Sequence, residues 1–445
     1  MQRSSSTRPL LTVFVLILAL LCFLPVSGYS TRLDGLRLVS TATLEGRLAV
    51  FDDVWETIEE RYYDPNFRGI DWEGRRIPFR TAAGRAQDSE QLYEILRQML
   101  APLKDAHTRV YSPSYKFDWW NPRFVTVGVT IREVEGQPTV TLVESKSEAA
   151  RSGIKPGDVL VSVDSIPVAT LLEARLKDYG PSANDSIRYR VIAGLLDGPV
   201  DTPVQLRWRT RKDQVKTARL RRHWTQHQLG FSSFRKDGIA IIKLDTFTQP
   251  VALEFARALP KMIGDDRGVI LDLRTNGGGD ADAMNNLASL FLPDGISLGI
   301  FADRSGASFE LNTLLKRIQV DASAKQLNIP MAVLISESTS SSAEIMASTL
   351  QTKGRALVTG SNSCGCVLAI RSRHNLPDGG ILDVSEFDFR TSAGVRLEGV
   401  GVKPDLPATI SRSDIYGHRD AALEIAAAAL NKRAKVGGGL HSARF

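Results

Sequence analysis

A chain of 445 residues with 43% hydrophobic side chains can bury its own cores and is long enough for two or three domains. Its formal net charge of +6 is spread along the chain with no basic stripe, so it reads as a solubility property and no nucleic-acid partner is expected. Of three cysteines, Cys22 lies near the N-terminus, while Cys364 and Cys366 form a C-x-C pair too close for an easy unstrained disulfide and too few for a zinc site.

Arg3 and Arg8 precede an apolar run from Leu10 to Leu24, and Val26-Ser27-Gly28 follows as a small-residue cleavage pattern. Residues 1–28 read as a secretory signal, because crossing a bilayer takes about 20 apolar residues. An uncleaved anchor is the alternative. Cys22 follows the bulky Leu21 and fits no lipidation box. The expectation is a periplasmic or secreted protein, touching a membrane only through an uncleaved N-terminal segment.

Residues 33–114 are helical in pattern. In LEGRLAVFDDVWETIEERYYD, Leu48, Phe51, Val54, Trp55 and Ile58 fall at three- and four-residue spacing. SEQLYEILRQMLAPL predicts a second helix capped by Ser89 and ended by Pro102. A polar loop, LKDAHTRVYSP, then carries His107.

Residues 124–224 change to short alternating strands. RFVTVGVTIREVEGQPTVTLV predicts two strands about a Gly-containing turn, and SEAARSGIKPGDVLVSVDSIPV a short helix, a turn and a strand pair. The order Ser-x-x-Ala-x-x-Gly-Ile-x-x-Gly-Asp-x-Leu-x-x-Val-Asp resembles a PDZ domain. That resemblance implies peptide binding by strand addition, with Val127, Gly128 and Val129 as the loop that receives a carboxylate. A rigid spacer or lid is the alternative. The stretch from Asp178 to Pro203 reads as an insertion that could cover the groove.

Residues 230–410 alternate strands with helices, which argues for a sheet with helices on its faces. GIAIIKLDTF, RGVILDLR, PMAVLISE and RALVTG are strands; VALEFARALPKMI and ADAMNNLASLFL are helices; GILDVSEFDFRTSAG reads as a hairpin-like pair. Residues 411–445 add one helix, RDAALEIAAAALNKRA, and a loose tail.

Two turns leave buried strands and enter helices: Asn276–Gly279 (NGGG) and the run ISESTSSSAEIMAS from Ile335 to Ser348. That edge of an α/β sheet is where sites form, and glycine turns present bare N–H groups able to receive an oxyanion. A P-loop is excluded, since its Lys-[Ser/Thr] is missing. Ser341 with Glu344 is a capping box, so Ser341 could cap its helix or be a nucleophile.

DLRTNGGG, then SSSAEI some sixty residues on, then GVGVKPD, resemble the carboxyl-terminal processing protease and tricorn-core family of serine peptidases. The resemblance covers nearly the whole chain after the signal. It implies an α/β (α+β) fold: a crotonase-like catalytic core, an inserted PDZ domain and a helical N-terminal region. It also implies protein or peptide substrates, and no metal or organic cofactor is expected. By the same resemblance Ser341 is the nucleophile, and the N–H of Ser342 with that of Gly277 or Gly278 forms the oxyanion hole. Processing proteases take their base from a lysine in a Phe-Gly-Lys-Gly turn; here the matching turn is Cys364-Gly365-Cys366-Val367, with Cys366 in the lysine's place. Thr352 stands where many carry aspartate, and Lys353 would lie about three helical turns from Ser341. The tricorn-like branch instead uses a histidine and a late glutamate. LKDAHT and RLEGVGVKPD resemble those segments and imply His107 as base and Glu398 as its orienter. The bland reading of His107 is a loop histidine, which the processing proteases also carry beside their PDZ. Asp272 and Arg274 are expected to hold the strand end. A thiol nucleophile at Cys366 has nothing nearby in sequence to activate it. The reading is an exported serine endopeptidase; a silent homologue acting as a peptide-binding scaffold is the alternative, and an acyl hydrolase a thinner third.

Overall fold

The N-terminal helices form where apolar residues recur at helical spacing and a polar side chain closes the first turn. In α1 (Leu44–Arg61), Thr43 accepts the Gly46 N–H, and Val50, Phe51, Val54, Trp55 and Ile58 are fully buried. α2 (Trp72–Gly84) is capped by Asp71. The cap of α3 (Ser89–Leu100) differs from expectation. Asp88, one residue earlier than Ser89, takes the extended conformation and accepts the Gln91 N–H at 2.8 Å, so Ser89 becomes the first helical residue. Pro102 sits in the 3-10 turn Ala101–Leu103 that follows. β1 (Arg109–Tyr111) then closes the loop that carries His107.

This is a computed structural model that describes residues 38–115, 123–177, 185–226, 229–314 and 327–441. The expected signal segment with Cys22, residues 178–184, His227 and residues 442–445 lie outside the described residues. From Ser40 onward the chain forms one compact unit.

The middle of the chain is an antiparallel sheet in the order β2-β3-β4-β5-β6, from Val129–Val134, Gln137–Val143, Val159–Val163, Pro203–Arg209 and Val215–Arg221. β2 and β3 meet across the turn at Glu135-Gly136, as the sequence predicts. The stretch read as an insertion corrects that expectation. Its described part contains α4 (Asp185–Ala193), and Ile187, Val191, Ile192, Leu195 and Leu196 belong to the same apolar cluster as Ile131, Leu160, Val204 and Trp208. α4 packs against β2, so it is part of the body rather than a cover laid over it.

The second large sheet runs β7-β8-β9-β10-β11-β13, from Phe231–Lys236, Ile239–Leu244, Val269–Asp272, Met331–Ile335, Leu357–Gly360 and Leu406–Pro407. β7 is antiparallel to β8 and the remaining pairs are parallel. β9 and β10 are buried throughout, as strands covered on both faces must be. Alternate residues feed two layers. Ile242, Leu271 and Val333 face α5 (Gln249–Ile263), α6 (Ala281–Ala288) and α7 (Ser342–Thr352). Ile241, Ile270 and Leu334 face α8 (Ala421–His441) through Ala426 and Leu430. The helix α8 continues past Gly437–Gly439 to His441, where a loose tail was expected.

GILDVSEFDFRTSAG is not a hairpin. β12 (Ile381–Asp383) pairs with β1, whereas Phe387–Arg390 pairs with Ser297–Asp303 in another sheet. The alternation of that segment is real, but each strand takes its partner from elsewhere in the chain. The β1–β12 pairing ties the His107 loop to the segment that follows the cysteine turn, in a small sheet of its own.

Candidate active site

The two turns expected to carry chemistry are fastened side by side. After β10, the Ser336 hydroxyl donates to the Arg274 carbonyl at 2.7 Å and that of Thr339 to the Leu273 carbonyl at 2.8 Å. The Ser340 hydroxyl donates to the Gly277 carbonyl at 3.0 Å, that of Ser342 to the Gly279 carbonyl at 2.9 Å, and that of Ser338 to the Tyr189 hydroxyl of α4 at 2.7 Å. The serine run therefore acts as a strap over the glycine turn. Ser341 is the N-cap of α7 with φ 56° and ψ −128°, a left-handed conformation uncommon outside glycine. It stands directly against Gly278: a Cβ at Gly278 would lie 2.6 Å from Ser341 Cβ and 3.2 Å from its Oγ, and Gly278 itself holds φ 96°.

Asn276 shapes the glycine turn. It is fully buried; its Nδ2 donates to the Leu244 carbonyl at 3.1 Å, and its Oδ1 accepts the Gly278 N–H at 2.8 Å. The Gly278 N–H is thus engaged within the turn, and of the two glycines considered for an oxyanion it is Gly277 whose N–H has no partner among the described residues. Ser342, first residue of α7, has no intrahelical acceptor for its N–H. Arg274 bridges Asp272 (2.6 Å) and Asp420 (2.8 Å), fastening the end of β9 to the residue just before α8.

Glu344 organises the other side. Fully buried, its carboxylate accepts from the Ser341, Gly365 and Cys366 N–H groups at 3.1, 2.6 and 2.8 Å and from the Ser363 hydroxyl at 2.6 Å. Burial pushes its carboxyl up to about 7 against the pull of those four donors. The Ser341 N–H also reaches the Cys366 carbonyl at 2.9 Å. The cysteine turn departs from expectation: Cys364 and Cys366 are joined by a disulfide across a Cα–Cα separation of 5.2 Å, within the ordinary range. Gly365 between them holds φ 68°, a turn that brings the two side chains together, which spacing alone does not reveal. Cys366 therefore offers no thiol as a nucleophile. From α4, the Ser186 hydroxyl lies 3.2 Å from Cys364 Sγ and Arg190 Nη1 lies 3.6 Å from Cys366 Sγ.

His107 sits in a loop built by Asp105, whose Oδ1 accepts the N–H groups of His107 (2.9 Å) and Thr108 (2.6 Å) and the Ser385 hydroxyl (2.9 Å). Its Oδ2 accepts the Tyr62 hydroxyl at 3.0 Å. The residue keeps some exposed surface, but Nδ1 is buried and has no hydrogen-bond partner among the described residues. Burial lowers the imidazole to about 4, opposed by Asp105 and assisted by Arg109 and Arg190. Glu398 is buried, its Oε2 accepting the Val367 and Leu368 N–H groups at 2.9 and 3.3 Å while Oε1 faces Arg68 Nη1 at 3.8 Å. Burial raises its carboxyl, and the charge of Asp105 adds to the rise, so Glu398 lies within the field of the His107 loop. Among the described residues no hydrogen bond joins Ser341, His107 and Glu398. What they share is the segment 364–368: Ser341 binds its Cys366 carbonyl, Glu398 its Val367 and Leu368 N–H groups, and Arg190 links Cys366 to the field on His107.

The family model described as Peptidase family S41 matches residues 238–408, and the Tricorn protease C1 domain model matches residues 45–101. Residues 238–408 are a peptidase family S41 domain. The protein is a serine peptidase. The chain is 29% identical over 375 residues to carboxyl-terminal-processing peptidase 2, chloroplastic, of Arabidopsis thaliana, covering 80% of this chain and 68% of that protein. It is 25% identical over 365 residues to the carboxyl-terminal-processing protease of Synechocystis sp. (strain ATCC 27184 / PCC 6803 / Kazusa), covering 79% and 78%. Among solved structures, the photosystem II D1 C-terminal processing protease shares the fold with TM-score 0.53 and 24% identity, over 82% of this chain and 93% of that one. Mature CPAF does so with TM-score 0.63 and 14% identity, over 88% and 97%.

Two further features bear on this peptidase. The Gly128 of the middle region has φ 82° and gives its N–H to Thr126 Oγ1 at 2.9 Å, between a buried Val127 and a half-buried Val129. Asp105, Asn276 and Arg68 are the polar residues that sequence reasoning left without a role; the Asp-x-His and Asn-x-Gly spacings were the available signals. Among the described residues no group of three or more His, Cys, Asp or Glu could hold a metal ion, and no helix is long and apolar enough to cross a membrane.

Proposed function

We propose that the protein is an exported endopeptidase in which Ser341 attacks the scissile peptide carbonyl, His107 is the general base and Glu398 orients it. The Ser341 Oγ proton passes to the neutral imidazole as Oγ bonds to the carbonyl carbon. The oxyanion is received by the N–H groups of Ser342 and Gly277, aided by the positive end of α7. His107 then gives its proton to the departing amine, and water releases the acyl group by the same route.

The observation that carries this reading is the close approach of Gly278 to Ser341 at the head of α7, with Ser341 held at φ 56°. The neighbouring hydroxyls of Ser336, Ser338, Thr339, Ser340 and Ser342 are spent as straps, while the Ser341 side chain stands against Gly278. A lysine base is missing because its expected place is Cys366, now half of a disulfide, and Lys353 is the C-cap at the far end of α7. His107, lowered to about 4, is neutral at physiological pH as a base must be, and its buried Nδ1 is available to a carboxylate. Glu398 is near enough to share the field of Asp105, and substrate closure would complete the bond between them; such bonds tighten in the bound complex. The middle region is read as a PDZ-type module that recruits or gates the polypeptide. Its route to the site is α4, whose Tyr189 bonds Ser338 and whose Arg188 makes a two-point ion pair with Glu133 of β2.

Hydrolysis of an unfolded protein tests the reading. Ser341→Ala should lose at least about 10⁴-fold in rate, and Glu398→Gln about 10²–10⁴-fold, with melting temperatures near the parent's. Unchanged hydrolysis by either variant contradicts the assigned role. A folded parent that cleaves nothing but binds peptides favours the scaffold, which the missing bonds among the three residues would then explain.

A further inference from the structure

A cavity of about 940 Å³ lies beside the His107 loop, between the end of α3, the loop itself and the described part of the segment containing α4. Its walls carry five cations, Arg97, Lys104, Arg109, Arg175 and Arg190, against two carboxylates, Asp105 and Asp197. The cations come from separate elements: α3, the loop, β1, the helix Val168–Lys177 and α4. Arg97 also pairs with Glu94 at 3.1 Å. Asp105 accepts the N–H groups of His107 and Thr108 in its own loop and the hydroxyls of Tyr62 and Ser385 from outside it. Asp197 has its carboxyl raised by burial, against the pull of Arg175 and Arg222. Leu100, Leu103 and Val191 supply apolar floor, and Tyr111 stacks on Tyr115 at 5.1 Å along one wall. A concave site of this size with an apolar lining and convergent charges of one sign has the form of a ligand site, and its walls concentrate the field.

We propose that this cavity is a carboxylate-recognition site that takes an acidic segment, or the free carboxyl end, of a polypeptide. Binding itself does not depend on the catalytic assignment; only the inference that the bound chain is substrate rests on the Ser341–His107 reading. The position favours substrate. Asp105, Ala106 and Thr108 line the cavity on either side of His107, and Arg190 touches both the cavity and Cys366 Sγ. A peptide anchored here would pass the turn that holds Ser341. The stacked tyrosines and apolar floor accept side chains of a polypeptide, which a bare inorganic anion would not need.

The test is fluorescence anisotropy with the full chain carrying Ser341→Ala, so that nothing is cleaved. The probes are four labelled short peptides: acidic and amidated, lysine-bearing and amidated, neutral and amidated, and neutral with a free carboxylate. The acidic peptide should bind about tenfold or more tightly than the lysine peptide, weakening as salt rises, and Arg97→Glu with Arg175→Glu should remove most of that preference. Tighter binding of the neutral free-carboxylate peptide than of its amide assigns the chain end as the source; preference for the acidic amide assigns side chains. If the double variant melts early, Lys104→Gln serves instead and should weaken the acidic peptide alone. Equal affinity for acidic and basic peptides overturns the proposal, as does unchanged affinity in a variant with the parental melting temperature. Equal displacement by a short single-stranded DNA would show a generic anion trap and overturn it too. Because binding is read without turnover, an inactive parent would leave this result standing.

Discussion

Ser341 occupies a backbone conformation that costs a non-glycine residue on the order of 1–3 kcal/mol, and the surrounding bonds hold it there. Glu344 and the Cys366 carbonyl share its N–H, while Gly278 leaves room for its side chain. Gly278→Ala should therefore be far worse than its size suggests. The new methyl would meet Ser341 Cβ at 2.6 Å at φ 96°, and we expect a rate loss of about 100-fold or more with a stability cost of roughly 1–3 kcal/mol. Gly277→Ala is the stability control: its Cβ would meet nothing nearer than Ser340 Oγ at 3.9 Å, so thermal melts should stay close to the parent. The buried titrating pair makes a second residue-scale prediction. Glu344, raised from 4.5 to about 7, is ionised first in the unfolded chain, so its contribution to stability is full below 4.5 and is lost as pH rises to about 7. His107, lowered from 6.5 to about 4, is protonated first in the unfolded chain, so its contribution is full above 6.5 and is lost as pH falls to about 4. Between 4.5 and 6.5 the two slopes oppose, each of about 1.4 kcal/mol per pH unit. Urea titrations should show stability rising with pH in Glu344→Gln and falling with pH in His107→Gln. Parallel slopes in both variants would contradict these environments.

At the scale of elements, α7 and the turn 364–368 form one working piece, bonded through Glu344 and covered by α4. The disulfide within that turn predicts that iodoacetamide modifies neither Cys364 nor Cys366 until reductant is added, after which both are modified; adducts on the unreduced chain would contradict it. Local periodicity was enough for α1, β9, β10 and the head of α7, because each buries a face spelled out in consecutive residues. It failed where distant partners decide. Ser89 looked like a cap until Asp88, one residue earlier, took the Gln91 N–H. The α4 segment read as an insertion because its partner faces, in β2 and the cysteine turn, are remote in sequence. β12 and Phe387–Arg390 looked like a hairpin because nothing local announces β1 or Ser297–Asp303. The disulfide was missed for the same reason: the conformation at Gly365, held by Glu344, is a tertiary fact.

Across the whole molecule, the second large sheet supplies Ser341, Gly277 and Glu398, and the N-terminal helical region lends His107 through the β1–β12 pairing. The serine, the glycine turn and the late glutamate were legible from motif resemblance, and their turns do lie together. Glu398 was read as the histidine's partner from the same resemblance, and among the described residues Nδ1 makes no hydrogen bond. The central claim is that Ser341 is the nucleophile and that a histidine more than two hundred residues upstream is its base. Peptide mapping of the full chain after fluorophosphonate treatment tests this most directly. The account predicts one adduct, on Ser341, absent in Ser341→Ala and formed about 10²–10⁴-fold more slowly in His107→Ala. An adduct on another residue, or labelling of His107→Ala at the parental rate, would contradict it.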